Sequence, residues 1–143
     1  MPLMRHLLDI AIKIVVPRHR TGVLVICFDE QQRILMLRHV FHPGTPWGPP
    51  GGWLGRRESP AECALRELHE ETGLTAELGK VIHLTKETPS NQIMIAYTAC
   101  VHAPGPMELS SEIIEADWFY PNALPQPLYA FVEEAVAAAV KES

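Results

Sequence analysis

The sequence has few cysteines. Its 143 residues include only Cys27, Cys63 and Cys100, and no two of them form a Cys-x-x-Cys pair. Three widely spaced cysteines without such a pair indicate neither a disulfide framework nor a structural zinc site. Few, separated thiols suit a reducing compartment, and we expect a cytoplasmic protein. The histidines are scattered, and the one close pair, His39 and His42, is interpreted as surface or loop residues.

Basic residues are not in excess, and long apolar runs are missing. The formal net charge is −5 and the pI is about 5.8. A nucleic-acid-binding surface normally carries a basic stripe, so we expect no nucleic-acid partner.

No stretch approaches the roughly 20 apolar residues of a transmembrane helix. Asp9 and Lys13 interrupt the first apolar run, and no small-residue cleavage site follows it, which argues against a signal peptide. We expect no membrane partner.

Apolar periodicity predicts the order of the elements. Apolar residues in 1–16 recur at alternating steps of four and three, which predicts an N-terminal helix with a broad apolar face. Two roles stay open for this helix, capping the domain or mediating a homodimer. Strands are predicted at 21–28, 33–40, 76–86, 92–101 and 116–120, and a closing helix at 126–141. Strands on both sides of a central helix indicate one α/β layered domain over 1–143.

Residues 41–50 are rich in proline and glycine, which predicts a loop leading into the Gly51-Gly52 pair. Glycine has no Cβ, so the backbone of this pair can approach a ligand closely. Trp47 lies in the loop. Packing as a lid on the following helix is its preferred role, and stacking on a nucleobase is the alternative.

A helix is specified after the glycine pair. Ser59, Pro60 and Glu62 occupy the N-cap, N1 and N3 positions of a capping box. Gly73 ends the helix as a left-handed C-cap.

Glu67, Glu70 and Glu71 share one face of this helix, because they stand at i, i+3 and i+4. Like charges so placed repel by a few tenths of a kcal/mol per pair, which a helix does not need. Carboxylates on one face suit a hard cation such as Mg²⁺ or Mn²⁺. A solvated acidic face is the alternative when the three glutamates are taken alone.

The longer pattern around these glutamates resembles the Nudix box. Gly52 is followed after five residues by Glu58, and after seven more by Arg66-Glu67-Leu68-x-Glu70-Glu71-x-Gly73-Leu74. The resemblance implies an α/β/α sandwich around a mixed β-sheet, with the box forming a loop, a helix and a loop. It also implies a hydrolase that splits a phosphoanhydride bond in a nucleoside diphosphate linked to another moiety.

Site residues follow from the same resemblance. Glu67 and Glu71 are the implied ligands of Mg²⁺, or of Mn²⁺, and Glu70 is a third ligand or the general base. A backbone carbonyl of Gly51 or Gly52 is implied to complete the metal shell.

Outside these positions the resemblance implies supporting residues. Arg66 orients the carboxylates, and Glu58 supports the loop and touches a metal through water. Glu112, six residues before Trp118, is implied as a metal ligand or the base. Glu115 is its nearest rival.

The box does not define the substrate. Family members acting on ADP-ribose tend to carry a proline about fifteen residues beyond the box, where this chain has Pro89. The tyrosine expected two or three residues later in dinucleoside polyphosphate hydrolases is missing, since Asn91 and Gln92 stand there. We rank a nucleotide sugar such as ADP-ribose first. Arg38, Trp47 and Asn91 are candidate substrate contacts because they flank the loop or lie at a strand end or turn.

Two rival functions stay open. Nucleoside triphosphates, including oxidised ones, suit a compact chain with Glu112. A non-catalytic nucleotide-binding module is the other rival, and the intact Arg66-Glu67 and Glu70-Glu71 pairs argue against it.

Overall fold

The computed structural model describes residues 1–143 and contains three α-helices, a short 3-10 turn and seven strands. The elements are α1 Pro2–Val15, β1 Thr21–Phe28, β2 Ile34–His39, β3 Trp47–Gly48, β4 Gly51–Trp53, α2 Pro60–Thr72, β5 Glu77–Glu87, β6 Gln92–Cys100, β7 Ile113–Phe119, the 3-10 turn Pro121–Ala123 and α3 Ala130–Glu142. None of the helices combines the length and apolarity that crossing a bilayer requires.

The seven strands form one mixed sheet with β1 at its centre. The strand order is β3-β2-β1-β6-β5, while β4 pairs with β1 and β7 pairs with β2. β1 runs parallel to β6 along its whole length, and the other pairs are antiparallel. β1 and β2 share only the Phe28–Ile34 pair, and β4 lies against the same edge of β1 at Gly22–Leu24. The strands therefore bring the glycine pair beside the central strand.

Helices cover both faces of the sheet. Successive side chains of a strand point to opposite faces, so alternate residues of β1 belong to two separate buried clusters. Val23, Val25 and Cys27 pack in the cluster that includes residues of α2, and Leu24, Ile26 and Phe28 pack in the cluster that includes residues of α3. A strand covered on both faces reads as a continuous apolar run. The predicted α/β/α sandwich with a mixed sheet is confirmed.

Four element boundaries differ from the sequence predictions. The predicted loop 41–50 contains strand β3, and the glycine pair lies in strand β4 rather than in a loop. β7 begins at Ile113, earlier than predicted, because it pairs with β2 as far as His39. α3 begins only at Ala130, since Pro125 and Pro127 each lack a backbone donor and disfavour helical geometry in the preceding residue.

The predicted ends of α2 are confirmed. The Ser59 hydroxyl accepts a hydrogen bond from the backbone N–H of Glu62 at 3.1 Å. Gly73 has a φ of 75° and is the left-handed C-cap.

Helix α1 forms where it was predicted, but it has no buried residue. Of the two roles left open for it, capping the sandwich therefore finds no support in the packing.

Candidate active site

Glu71 lies in the buried junction between α2 and the glycine pair. Its side chain is 5% exposed. Oε1 accepts a hydrogen bond from the backbone N–H of Gly51 at 2.9 Å, and Oε2 lies 3.9 Å from His39 Nδ1. Burial raises the pKa of Glu71 to about 8. The Gly51 bond opposes this rise, and the charges of Glu67, Glu112 and Glu70 add to it.

Arg66 binds three of the box carboxylates at once. Its guanidinium donates to Glu58 through Nε at 2.9 Å and Nη2 at 2.8 Å, and through Nη1 to Glu67 at 2.9 Å and Glu70 at 3.0 Å. The Arg66 hydrogen bond, helped by the Gly55 N–H at 2.8 Å, lowers the pKa of Glu58 to about 2. Arg66 thus fixes the carboxylate of Glu58 relative to those of Glu67 and Glu70.

The glycine pair is packed too closely for any side chain. A Cβ on Gly52 would overlap the carboxylate of Glu67, and a Cβ on Gly51 would overlap the backbone carbonyl oxygen of Val23. Burial raises the pKa of Glu67, and Arg66 opposes that shift. Glycine at both positions is therefore what allows β4 to lie directly against the acidic face of α2.

The segment before β7 brings Glu112 towards the same carboxylates. The backbone N–H of Glu108 donates to Thr72 O at 2.9 Å, and that of Ser110 donates to Glu71 O at 3.2 Å. The charge of Glu112 consequently contributes to the raised pKa of Glu71. Glu115, the alternative to Glu112 as metal ligand or base, forms an ion pair with Arg38 at 3.2 Å instead.

A cleft of about 530 Å³ opens beside the glycine pair. The aromatic residues in its lining are Trp47, Trp53, Tyr129 and Phe131, and the loop residues Pro89 and Ser90 also line it. Trp47 packs edge to face on Phe119, with ring centroids 5.4 Å apart, in the cluster on the α3 side of the sheet. The preferred role of Trp47 as a lid on the box helix is therefore wrong, and its ring borders the cleft.

The other two candidate substrate contacts lie outside the cleft lining. Arg38 is held by Glu115 at the end of β2. Asn91 sits in the β5–β6 turn with a φ of 57°, and its backbone oxygen contacts His19 Nδ1 at 3.0 Å.

His39 and His42 are the residues that the sequence interpretation missed. Both line the cleft, and their rings lie 5.9 Å apart. Burial, and secondarily His42, lowers the pKa of His39, whose imidazole lies beside Glu71. Surface placement is wrong for the half-buried His39. One feature of the sequence could have indicated a role in the site: His39 lies at the end of a strand that runs into the glycine-rich loop.

The donor set fits a divalent cation. No three His, Cys, Asp or Glu side chains stand as a ready ligand group. Arg66 forms ion pairs with Glu67 and Glu70, whereas Glu71 is in ion-pair range of no Lys or Arg, and its one basic neighbour is His39. Several carboxylates around one arginine leave excess negative charge, and oxygen donors suit Mg²⁺ or Mn²⁺.

Comparison with known proteins agrees with this geometry. A family model described as the NUDIX domain matches residues 18–139, and the chain belongs to this family. It is 29% identical to a MutT-like protein of Streptomyces ambofaciens, covering 77% of this chain and 70% of that protein. It is 30% identical to a proposed 8-oxo-dGTP diphosphatase of Bacillus subtilis (strain 168), covering 73% of this chain and 68% of that protein.

The fold also matches a solved structure, that of an ADP-ribose pyrophosphatase from Streptococcus suis. The TM-score is 0.72 with 24% identity, and the match covers 87% of this chain and 92% of that one. This structural match shows the fold. The family and the sequence relatives make the protein a hydrolase that acts on phosphorus-containing acid anhydrides.

Proposed function

We propose that this protein uses Mg²⁺, or Mn²⁺, to hydrolyse a phosphoanhydride bond in a nucleoside diphosphate linked to another moiety. One observation carries the proposal. Glu71 is a buried carboxylate with no Lys or Arg partner, and it lies where the acidic face of α2 meets the wall of the cleft. Burial makes this carboxyl costly to ionise, which raises its pKa, and a metal bound together with a substrate phosphate would stabilise its charged form.

Each side chain then has a defined task. Glu67 and Glu71 hold the metal, with Glu70 as a further ligand and a backbone carbonyl of Gly51 or Gly52 completing the shell. Arg66 keeps the carboxylates in fixed orientation. Glu58 anchors the loop through the Gly55 N–H.

Hydrolysis needs charge neutralisation at phosphorus and a positioned water. The metal, when bound, neutralises the diphosphate and lowers the pKa of a coordinated water. We assign Glu112 as the group that accepts the proton of the attacking water, with Glu70 as the alternative base; the contribution of the Glu112 charge to the raised pKa of Glu71 supports this assignment. The water oxygen bonds to phosphorus, the bridging P–O bond breaks, and the second phosphate leaves with the bond's electron pair.

The cleft supports a nucleotide with a bulky second group. Aromatic walls suit a nucleobase, and Pro89 and Ser90 form part of the same lining. A nucleotide sugar such as ADP-ribose is therefore the first candidate. Nucleoside triphosphates, including oxidised ones, are the second, because a relative 30% identical over 73% of this chain is a proposed 8-oxo-dGTP diphosphatase.

A substrate panel compared by kcat/KM tests the proposal. With Mg²⁺ we expect ADP-ribose and related nucleotide sugars to lead, yielding a nucleoside monophosphate and a sugar phosphate, because kcat/KM reports differential binding of the transition state. If triphosphates lead and release pyrophosphate, the second candidate replaces the first. If no phosphoanhydride is cleaved with either metal, the proposed activity is refuted.

Truncation of Trp47 should weaken substrate binding. Trp47→Ala removes an aromatic wall of the cleft, and we expect KM to rise about tenfold, since stacking on a base contributes about 1–3 kcal/mol. Trp47→Phe keeps a ring and should stay within about threefold of wild type. Tyr120→Ala is the matched control, because Tyr120 is an exposed aromatic residue outside the cleft lining. Equal KM values for Trp47→Ala and Tyr120→Ala would remove Trp47 from the binding site.

A further inference from the structure

Helix α1 exposes a whole apolar face to solvent. It is fourteen residues long and buries none of them. Its exposed apolar side chains include Leu3, Met4, Leu7, Leu8, Ile10 and Ile14. A helix of this length is marginal in water unless its apolar face is packed. Something outside the chain must therefore cover this face.

The face is too wide for a simple helix pair. At 3.6 residues per turn the apolar side chains span about 200° of the helix circumference. In a coiled coil each helix buries only the narrow stripe formed by its heptad positions a and d, which is part of that arc. Coiled-coil patterns also run over about three or four heptads, whereas α1 spans two. The α1 helices of two copies would leave much of the face in water.

The polar side of α1 has a distinct charge order. Arg5 lies at one border with the apolar face and His6 at the other, and Asp9 and Lys13 lie between them, as follows from the 3.6-residue period. The long side chains of Arg5 and Lys13 can bury their stems and keep their charges in the headgroup region. Asp9 points away from the apolar side.

Charge is also separated along the chain. Residues 1–20 hold four of the twelve Lys and Arg residues but one of the seventeen Asp and Glu residues. This segment is positive, whereas the remainder is strongly negative. Basic residues near an anionic lipid surface are attracted to it, and the attraction falls off within a Debye length.

We propose that α1 is an interfacial helix that binds the surface of an anionic lipid bilayer. The helix lies in the plane of the surface, with its apolar face among the acyl chains and Arg5 and Lys13 at the headgroups. The acidic catalytic body faces the aqueous phase. The expectation of no membrane partner, based on the lack of a spanning helix, did not consider surface binding.

Vesicle flotation of the full-length protein tests the proposal. The protein should float with vesicles of phosphatidylcholine containing one third phosphatidylglycerol, and at least tenfold less with pure phosphatidylcholine. The double variant Leu7→Gln, Ile14→Gln should reduce binding to the anionic vesicles at least tenfold. Arg5→Gln and Lys13→Gln should each reduce it about fivefold. Leu84→Gln changes an exposed leucine of β5, outside α1; it is the matched control and should bind like wild type.

Folding and self-association are measured alongside. The Leu7→Gln, Ile14→Gln variant should keep the wild-type melting temperature, because α1 packs on nothing in the chain. Equal flotation with neutral and anionic vesicles would overturn the proposal. The absence of flotation would also overturn the proposal. This holds whether light scattering shows a monomer or a dimer that the Leu7→Gln, Ile14→Gln variant abolishes.

Discussion

Replacing Glu71 with Gln is expected to lower kcat by about a thousandfold while leaving the protein folded. Glutamine keeps the hydrogen bond from the Gly51 N–H but removes the charge that would hold the metal against the substrate phosphate. Losing one group that stabilises transition-state charge costs about 10²–10³ in kcat, and a metal ligand at least as much. Turnover is measured with saturating Mg²⁺ on the best substrate of the panel. Glu67→Gln should behave similarly.

Stability separates this effect from misfolding. In metal-free buffer Glu71→Gln should unfold at the same urea concentration as wild type or a higher one, because a buried carboxylate near Glu67, Glu70 and Glu112 is costly to ionise. Leu65→Gln is the control, since Leu65 is an exposed side chain of the same helix. Near-normal turnover in Glu71→Gln would rule out Glu71 as a metal ligand.

Gly52→Ala is expected to lower kcat/KM about a hundredfold at little cost in stability. The new methyl group would overlap the Glu67 carboxylate, which is the end of a flexible side chain and can move away. Displacing a catalytic group by about 1 Å is enough to cost about 10²-fold. Activity and the midpoint of urea unfolding are measured on the same preparation.

Gly51→Ala provides the contrast. Its methyl group would overlap the backbone oxygen of Val23, which belongs to the central strand and cannot move without disturbing the sheet. This variant should therefore lose stability by about 1–3 kcal/mol, as overpacked positions do. If Gly52→Ala kept full activity, the close approach of β4 to Glu67 would have no part in function.

Features encoded by neighbouring residues were predictable from the sequence. The ends of α2 follow from Ser59 and Gly73, whose capping preferences act within a turn. The acidic face follows from helical spacing alone. The burial of β1 on both faces was also predictable, since such a strand has an unbroken apolar run.

Features fixed by distant partners were not predictable. Strand β4 is formed by glycines that read as a loop, and only its pairing with β1 makes it a strand. The face of the sheet on which the Trp47 side chain lies depends on the pairing of Trp47 with Arg38 in β2. The local sequence does not reveal this pairing. His39 is placed beside Glu71 by the packing of β2 against α2, so its spacing from other residues carried no signal.

The parallel pairing of β1 with β6 has a consequence for the order in which the protein is made. β1 is the first strand to be synthesised, yet its full-length partner follows only after α2 and β5. Non-local and parallel pairings form slowly, because the loop must close before the contacts stabilise it. Until β6 emerges, the apolar edge of β1 stays open to other chains. A nascent chain that ends before β6 would therefore leave that edge of β1 unpaired and would be prone to aggregate.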